Sequence, residues 1–202
     1  MSLFPEKKSI SKAEINELPI QAYEDDIVCC STPDEAEEAA QKLLKETLLG
    51  FDTETRPTFK KGEHYPPALL QLAGENHVFL FQIQQCTLTP SLIELLGRSD
   101  ILKAGVALDR DVDELKQVTP FQPAGFVELA DLAKEAGIKN LGLRALAALF
   151  FNFRISKKEQ VSNWAKLELS DSQKQYAATD AWLGRRLYQA FKEKGLIDPS
   201  AL

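Results

Sequence analysis

The spacing of apolar positions changes along the chain between the two-residue period of strands and the three-to-four-residue period of helices. After Ser31-Thr32-Pro33-Asp34, which offers N-cap chemistry, alanines and leucines recur at helical spacing and predict a helix that ends near Glu46. Apolar runs that predict strands lie at residues 47–55, 68–72, 77–83, 101–108 and 126–129. A turn at residues 74–76 joins the second and third of these runs as a hairpin.

Helical periodicity dominates the last third of the chain. Ser170 and Gln173 resemble a capping box at the start of a long helix that reaches about Lys194. Further helices are predicted at residues 91–96, 109–118, 143–151 and in the segment that ends at Gly137. Strands with helices interspersed predict an α/β domain in which helices flank a mixed central β-sheet, the hairpin strands being antiparallel.

The first residues do not share these periods. Residues 1–24 mix charges with Pro5 and Pro19, so we interpret them as an N-terminal arm with at most a short helix near Ser11–Leu18. The predicted domain therefore spans residues 25–202. A length of 202 residues, 44% of them apolar, is enough for one domain with a buried core.

Composition and charge exclude some classes of protein. No apolar run approaches the roughly 18 residues that span a bilayer, so no membrane partner is expected. The three cysteines lie in no C-x-x-C pair, which argues against a disulfide framework or a zinc site. Reduced thiols are expected instead, as in a cytoplasmic protein or, in a eukaryote, a nuclear one. A net charge of −6 argues against coating nucleic acid by charge alone, but it excludes little because a metal site can itself hold four carboxylates.

Two acids end a strongly apolar predicted strand. Because residues i and i+2 of a strand point to the same face, Asp52 and Glu54 project together while Thr53 points away. Carboxylates at a buried strand end are costly unless a cation or hydrogen-bond donors neutralise them. Four other pairs of acids in the chain share this spacing, so on spacing alone a surface strand end is an equal alternative.

Two further segments place acids beside potential partners. Tyr176 and Asp180 are four residues apart on the last helix and therefore share one face, although a core tyrosine beside an exposed acid would give the same pattern. Asp109 and Asp111 follow the apolar run that ends at Leu108. Asp109 is well placed as a helix N-cap, and Asp111 lies in the first turn, where the helix dipole favours an anion; this segment alone does not decide whether Asp111 is a metal ligand.

Taken together, these segments resemble a known family. Phe51-Asp52-Thr53-Glu54, residues 105–111 and Tyr176-Ala177-Ala178-Thr179-Asp180 resemble the three exonuclease motifs of the DEDDy 3′→5′ exonuclease superfamily, which includes ribonuclease D. Residues 126–131 and 162–164 look like connecting segments of the subgroup that contains the Werner syndrome helicase exonuclease domain. The resemblance spans roughly residues 47–195.

The resemblance implies a ribonuclease H-like fold and a two-metal reaction. Its expected substrate is the 3′ end of single-stranded or 3′-recessed nucleic acid, DNA being favoured over RNA, and its product is a nucleoside 5′-monophosphate. By matching motif positions, Asp52, Glu54 and Asp180 would bind one cation; Asp52 would bridge to a second, with Asp111 attached through water. Mg²⁺ suits such an all-oxygen site, with Mn²⁺ as a substitute. Tyr176 would orient the attacking water or the scissile phosphate.

Two alternatives and some weaker candidates stay open. The chain could be an RNA-trimming exonuclease, or an inactive binding module on the same fold, although the presence of all four acids and Tyr176 speaks against the latter. Arg56, Lys60 and Lys61 form a basic loop after the first motif, which either contacts the substrate backbone or is simply solvated. Lys157 and Lys158 are similar candidates across the cleft.

Overall fold

The structure, a computed structural model, describes residues 7–58, 60 and 62–197 and confirms a mixed central sheet flanked by helices. Its strands are β1 (Ile27–Cys30), β2 (Leu48–Thr55), β3 (Pro67–Ala73), β4 (Val78–Gln82), β5 (Leu102–Gly105) and β6 (Phe126–Glu128). They lie side by side in the order β1-β4-β3-β2-β5-β6. β3 pairs antiparallel with β4, as the hairpin predicted, and also with β2; the other pairs are parallel.

Eight helices lie in the described part of the chain. They are α1 (Lys12–Glu17), α2 (Pro33–Leu43), α3 (Ile83–Cys86), α4 (Pro90–Gly97), α5 (Leu108–Val118), α6 (Leu129–Glu135), α7 (Leu143–Phe151) and α8 (Asp171–Glu193). The predicted capping box is confirmed: the Ser170 side chain accepts the N–H of Gln173, and the Gln173 side chain accepts the N–H of Ser170. This reciprocal cap fixes where α8 begins.

The two faces of the sheet are covered by different helices. Leu49 and Phe51 of β2 point into a core that α2, α4 and α5 complete. Gly50, on the opposite face, lies beneath α8, as the two-residue period of a strand requires. Asp52 and Glu54 continue this second face, so the acids of β2 project on the same side as α8.

Small residues let α8 pack directly on the backbone of the sheet. A Cβ atom added to Gly50 would lie 1.8 Å from the carbonyl oxygen of Ala181, and one added to Gly184 would lie 2.6 Å from that of Ala104. Real Cβ atoms do not approach an oxygen so closely, so only glycine fits at these two crossings. The consequence is a fixed position of α8 relative to β2 and β5.

Three details differ from the sequence-based prediction. β1 and the short α3 were not predicted, because four-residue elements carry too little periodicity to be recognised. The fifth strand ends at Gly105 rather than Leu108, since Ala107 adopts a left-handed conformation with φ of 66°. Ala107 is therefore the N-cap of α5, and the prediction of Asp109 as the N-cap is wrong.

The described part of the N-terminal arm packs along the domain. Its helix α1 has a capping box between Ser11 and Glu14 and buries Ile15. Backbone hydrogen bonds join Gln21 to Arg154 and Arg154 to Pro19. The division at residues 24 and 25 stays a prediction. Among the described residues, no helix has the length and apolar character needed to cross a membrane.

Candidate active site

One cavity of about 640 Å³ gathers the residues of the three predicted motifs. Its lining includes the acid cluster, which consists of Asp52, Glu54, Asp111 and Asp180, together with Tyr176. Asp52 and Glu54 come from the central strand, Asp111 from the first turn of α5, and Tyr176 and Asp180 from α8. The fold thus brings together five side chains that are spread over more than half of the chain.

Glu128, an acid outside the cluster, holds the start of the helix that carries Asp111. One carboxylate oxygen of Glu128 accepts the N–H of Leu108 at 2.8 Å, and the other accepts the N–H of Ala130 at 2.9 Å. Glu128 therefore caps α6 and holds the start of α5 with one side chain. Because Asp111 lies one turn further along α5, this clamp sets its distance from β2.

The position of Asp180 is set by the packing of α8. Asp180 is buried, with 7% of its surface exposed, and its neighbour Ala181 is the residue that contacts Gly50. Thr179 donates from its hydroxyl to the carbonyl oxygen of Gln175 and accepts the backbone N–H of Tyr23. The arm thereby helps to anchor the helix that carries the acid.

Burial and mutual repulsion favour the protonated forms of these acids. Burial, followed by the charges of Asp180 and Asp111, raises the pKa of Glu54 to about 9. Burial and the same kind of repulsion raise the pKa of Asp52 well above its usual range. The pKa of Asp111 rises to about 6, mainly through burial, while the neighbouring Thr53 hydroxyl acts in the opposite direction. Burial raises the pKa of Asp180, and the Tyr176 hydroxyl opposes the rise.

The same surroundings keep Tyr176 protonated. Burial is the main cause of a raised pKa for its phenol, and the charges of Asp180, Glu54 and Asp52 add to it in that order. A phenol with a pKa above its ordinary value of about 10 does not act as a base at neutral pH. Tyr176 can therefore donate a hydrogen bond into the cavity.

The acid cluster has the donor chemistry of a site for hard cations. Within the described residues, no Lys or Arg forms an ion pair with any of the four acids. Carboxylate oxygens without a cationic partner suit Mg²⁺ or Mn²⁺. As it stands, no group of three His, Cys, Asp or Glu side chains among the described residues is arranged to hold an ion. One oxygen of Asp52 accepts the N–H of Thr53 at 2.9 Å, which holds the orientation of this carboxylate.

The basic loop after the first motif lies apart from this cavity. Arg56 is exposed and its guanidinium stacks 4.7 Å from the ring centre of Tyr65. Lys60 is exposed as well, and neither side chain lines the cavity. Lys61 lies outside the described residues. Lys157, by contrast, does line it.

Sequence reasoning gave no role to three cations of the cavity lining. Arg110 is paired with Glu114. The other two are Lys12 of α1 and Arg144 of α7, which together with Lys157 we name the basic wall. Residues 12 and 144 are far apart in the sequence and belong to no motif, so their spacing carries no signal. Only the course of the arm along the domain brings them to one cavity.

The fold and site define a nuclease class, and comparison with known proteins places the chain in it. A family model described as 3′-5′ exonuclease matches residues 27–195, which is most of the chain. The chain belongs to this 3′-5′ exonuclease family, and the predicted resemblance is confirmed.

The relatives of this chain include a helicase-linked 3′-5′ exonuclease and a ribonuclease. The mouse bifunctional 3′-5′ exonuclease/ATP-dependent helicase WRN is 31% identical over 166 residues, which are 79% of this chain and 12% of that protein. Ribonuclease D of Haemophilus influenzae is 29% identical over 160 residues, which are 78% of this chain and 39% of that protein. The chain thus corresponds to a minor part of these relatives' length.

Solved structures show the same fold. The EXO domain of Aedes aegypti Nibbler superposes with a TM-score of 0.78 at 22% identity, covering 86% of this chain and 92% of that one. RNase D of Escherichia coli gives a TM-score of 0.75 at 20% identity, covering 86% of this chain and 46% of that one. The predicted ribonuclease H-like fold is confirmed.

Proposed function

We propose that the chain is a metal-dependent 3′→5′ exonuclease that releases nucleoside 5′-monophosphates from DNA. The observation that carries the proposal is the acid cluster beside Tyr176, in one cavity and without a cationic partner among the described residues. Buried carboxylates that repel one another are unfavourable alone and become favourable when a cation binds. Membership of the 3′-5′ exonuclease family supports the direction of digestion.

Two divalent cations, Mg²⁺ with Mn²⁺ as a substitute, are the proposed cofactors. Asp52, Glu54 and Asp180 would hold one of them, and Asp52 would also hold the other, with Asp111 attached to it through water. When bound, such ions activate an attacking water and stabilise the departing 3′ oxygen. Because the pKa of Glu54 is raised to about 9, cation binding at neutral pH would displace its proton.

The protein's own groups supply orientation. Tyr176 keeps its proton and would donate a hydrogen bond to the attacking water or to a phosphate oxygen, which aligns the two for in-line attack. Arg110 also lines the cavity, but its guanidinium is paired with Glu114 at 2.7 Å. The remaining unpaired cations of the lining are those of the basic wall.

RNA is the second candidate substrate. The relative named ribonuclease D favours RNA, whereas the connecting segments at residues 126–131 and 162–164 resemble the Werner-type subgroup and favour DNA.

The free cysteines Cys29, Cys30 and Cys86 support a reducing compartment such as the cytoplasm.

A nuclease assay with defined ends tests the proposal. Single-stranded DNA, a 3′-recessed duplex and RNA, each labelled at the 5′ end, are incubated with Mg²⁺, Mn²⁺ or a chelator. We expect a descending ladder on DNA that either cation supports and chelation abolishes. Faster digestion of RNA than of DNA would identify RNA as the preferred substrate. Full activity in excess chelator, or a labelled mononucleotide as the first product, would contradict the mechanism.

A further inference from the structure

The N-terminal arm supplies part of the wall of the cavity. Lys12 and Ile15 of α1 line it, next to the start of α7 at Gly142–Ala145. Ile15 is buried, so α1 is packed in place rather than lying free on the surface. The arm therefore shapes the space that a substrate strand would enter.

Arg144 is held in this wall by a residue of the arm. One terminal nitrogen of its guanidinium donates to the side-chain oxygen of Asn16 at 2.9 Å. Its Nε atom is buried and has no hydrogen-bond partner among the described residues. Because Asn16 is neutral, the contact orients the guanidinium without neutralising its charge. A buried donor left unpaired is unfavourable, so the guanidinium of Arg144 lacks one of the hydrogen bonds that it can make.

The other cations of the basic wall are in a similar state. Lys12 and Lys157 are exposed, and within the described residues neither they nor Arg144 has an acidic partner within ion-pair distance. By contrast, Arg98 on another part of the surface and Arg110 in the cavity lining are both paired with acids. A protein with a net charge of −6 needs such a local concentration of positive charge to attract a polyanion.

We propose that the basic wall binds the backbone of the substrate strand, and that Arg144, positioned by Asn16, grips one of its phosphates. A guanidinium matches the geometry of a phosphate through paired hydrogen bonds, and the contact is to the backbone, so it serves DNA and RNA alike. The inference rests on the proposed function, since it assigns the strand to the cavity that holds the acid cluster.

Binding to a protein that does not cleave its substrate tests this proposal. In an Asp52→Asn background, the Kd for a fluorescein-labelled single strand of twelve deoxythymidines is measured by anisotropy over a series of salt concentrations. We expect Arg144→Gln to raise Kd about tenfold, as the loss of a charged hydrogen bond does. The slope of log Kd against log salt should fall by about 0.7, the value for one phosphate contact to a single strand.

Matched variants separate binding from general charge effects. Lys45→Gln removes an exposed charge at the other end of β2, before the strand begins, and should leave Kd within about twofold. Asn16→Asp should also weaken binding, because the new carboxylate pairs with Arg144 and competes with phosphate. Asn76→Asp, in the exposed turn between β3 and β4, is its control. If Arg144→Gln does not fold, the comparison of Asn16→Asp with Asn76→Asp decides the proposal.

The outcomes distinguish this inference from the proposed function. An unchanged Kd and an unchanged salt slope in folded Arg144→Gln would overturn the inference, even if the wild-type protein digests the strand from its 3′ end. Binding that depends on Arg144, in a wild-type protein that cleaves no strand, would support the inference and overturn the proposed function.

Discussion

The acid cluster and the basic wall line one cavity but are held in different ways. Asp52 and Asp180 lie on β2 and α8, whose backbones touch at Gly50 and Ala181 with no room for a single extra carbon. Arg144 lies at the half-buried start of α7, and Lys12 lies on the exposed face of α1. One side-chain hydrogen bond, from Arg144 to Asn16, joins these two parts of the wall.

This difference separates two functional demands. Groups that act at the reacting atoms lose efficiency when they are displaced by about 1 Å, so they belong on elements that cannot shift. Groups that hold a flexible strand can adjust with it. Variants of the two regions should therefore fail in different ways.

The largest effect is expected at Asp52. Asp52→Asn removes the charge that the two proposed cations would share, so the single-turnover rate should fall by at least about 10³-fold, as for the loss of a principal electrostatic group. The thermal unfolding temperature should stay the same or rise, since the neutral amide avoids the burial and repulsion that make ionisation of Asp52 unfavourable. Asp34→Asn, an exposed acid in the first turn of α2, is the control and should keep the wild-type rate. A rate for Asp52→Asn within tenfold of wild type would remove Asp52 from the site.

Glycine substitutions compare the rigidity of the two regions directly. Gly50→Ala places a carbon 1.8 Å from the Ala181 oxygen and should reduce the free energy of unfolding by about 3 kcal/mol or more. Gly142→Ala, at the start of α7, meets nothing within 4 Å and should cost less than about 1 kcal/mol. Urea denaturation of both variants measures the difference, and equal losses would show that the two regions are packed alike.

Tyr176→Phe should lower turnover while leaving the metal ligands in place. The ring is retained and only the hydroxyl is lost, so we expect a decrease of about 10²-fold, within the range for a positioned proton-handling group. Asp180→Asn, one helical turn further on, should instead raise the cation concentration needed for half-maximal activity. A wild-type single-turnover rate for Tyr176→Phe would make Tyr176 a packing residue only.

Lys103 differs from the cations of the basic wall because it is fully buried. Lys103 on β5 is fully buried and donates to the carbonyl oxygens of Leu95 and Arg98. Burial lowers its pKa from 10.5 to about 8, with Asp100 raising it and Arg98 lowering it to a smaller extent. The unfolded chain then binds more protons between these two values, so stability should rise with pH in that window.

Lys103→Met isolates this contribution. The free energy of unfolding of the wild type minus that of the variant should increase by about 2–2.5 kcal/mol between pH 7.5 and pH 10. Taking the difference cancels the titration of other groups and the constant effect of the two carbonyl groups left unpaired. A difference that does not change with pH would mean that Lys103 titrates as it does in the unfolded chain.

Sequence patterns predicted the elements that carry the acid cluster because these elements are long or strongly periodic. β2 and α8 were predicted within a few residues, and the capping box at Ser170 fixed the helix start. β1 was missed because Ile27–Cys30 is short and only partly buried, and its strand character depends on pairing with β4 far along the chain. Tertiary pairing of this kind leaves no local period.

The basic wall could not be predicted from the sequence for a similar reason. Nothing in the chemistry of Lys12, Asn16 or Arg144 distinguishes them from the other polar residues of an exposed helix face. Their common location follows from hydrogen bonds of the arm, such as that from Arg154 to Pro19, which join segments more than a hundred residues apart. The resemblance of three motifs to a known family predicted the acid cluster and Tyr176, and only the fold shows the surface around them.

The left-handed conformation of Ala107 restricts how many residues can connect β5 to α5. A non-glycine residue at a φ of 66° is strained by about 1–2 kcal/mol, and here Glu128 clamps the next N–H group. The connection from β5 to α5 is thus fixed at both ends. Inserting or deleting one residue there would turn Asp111 by about 100° around the helix axis, away from β2. Related chains that keep this acid in use should therefore vary in the side chains of the connection and keep its number of residues constant.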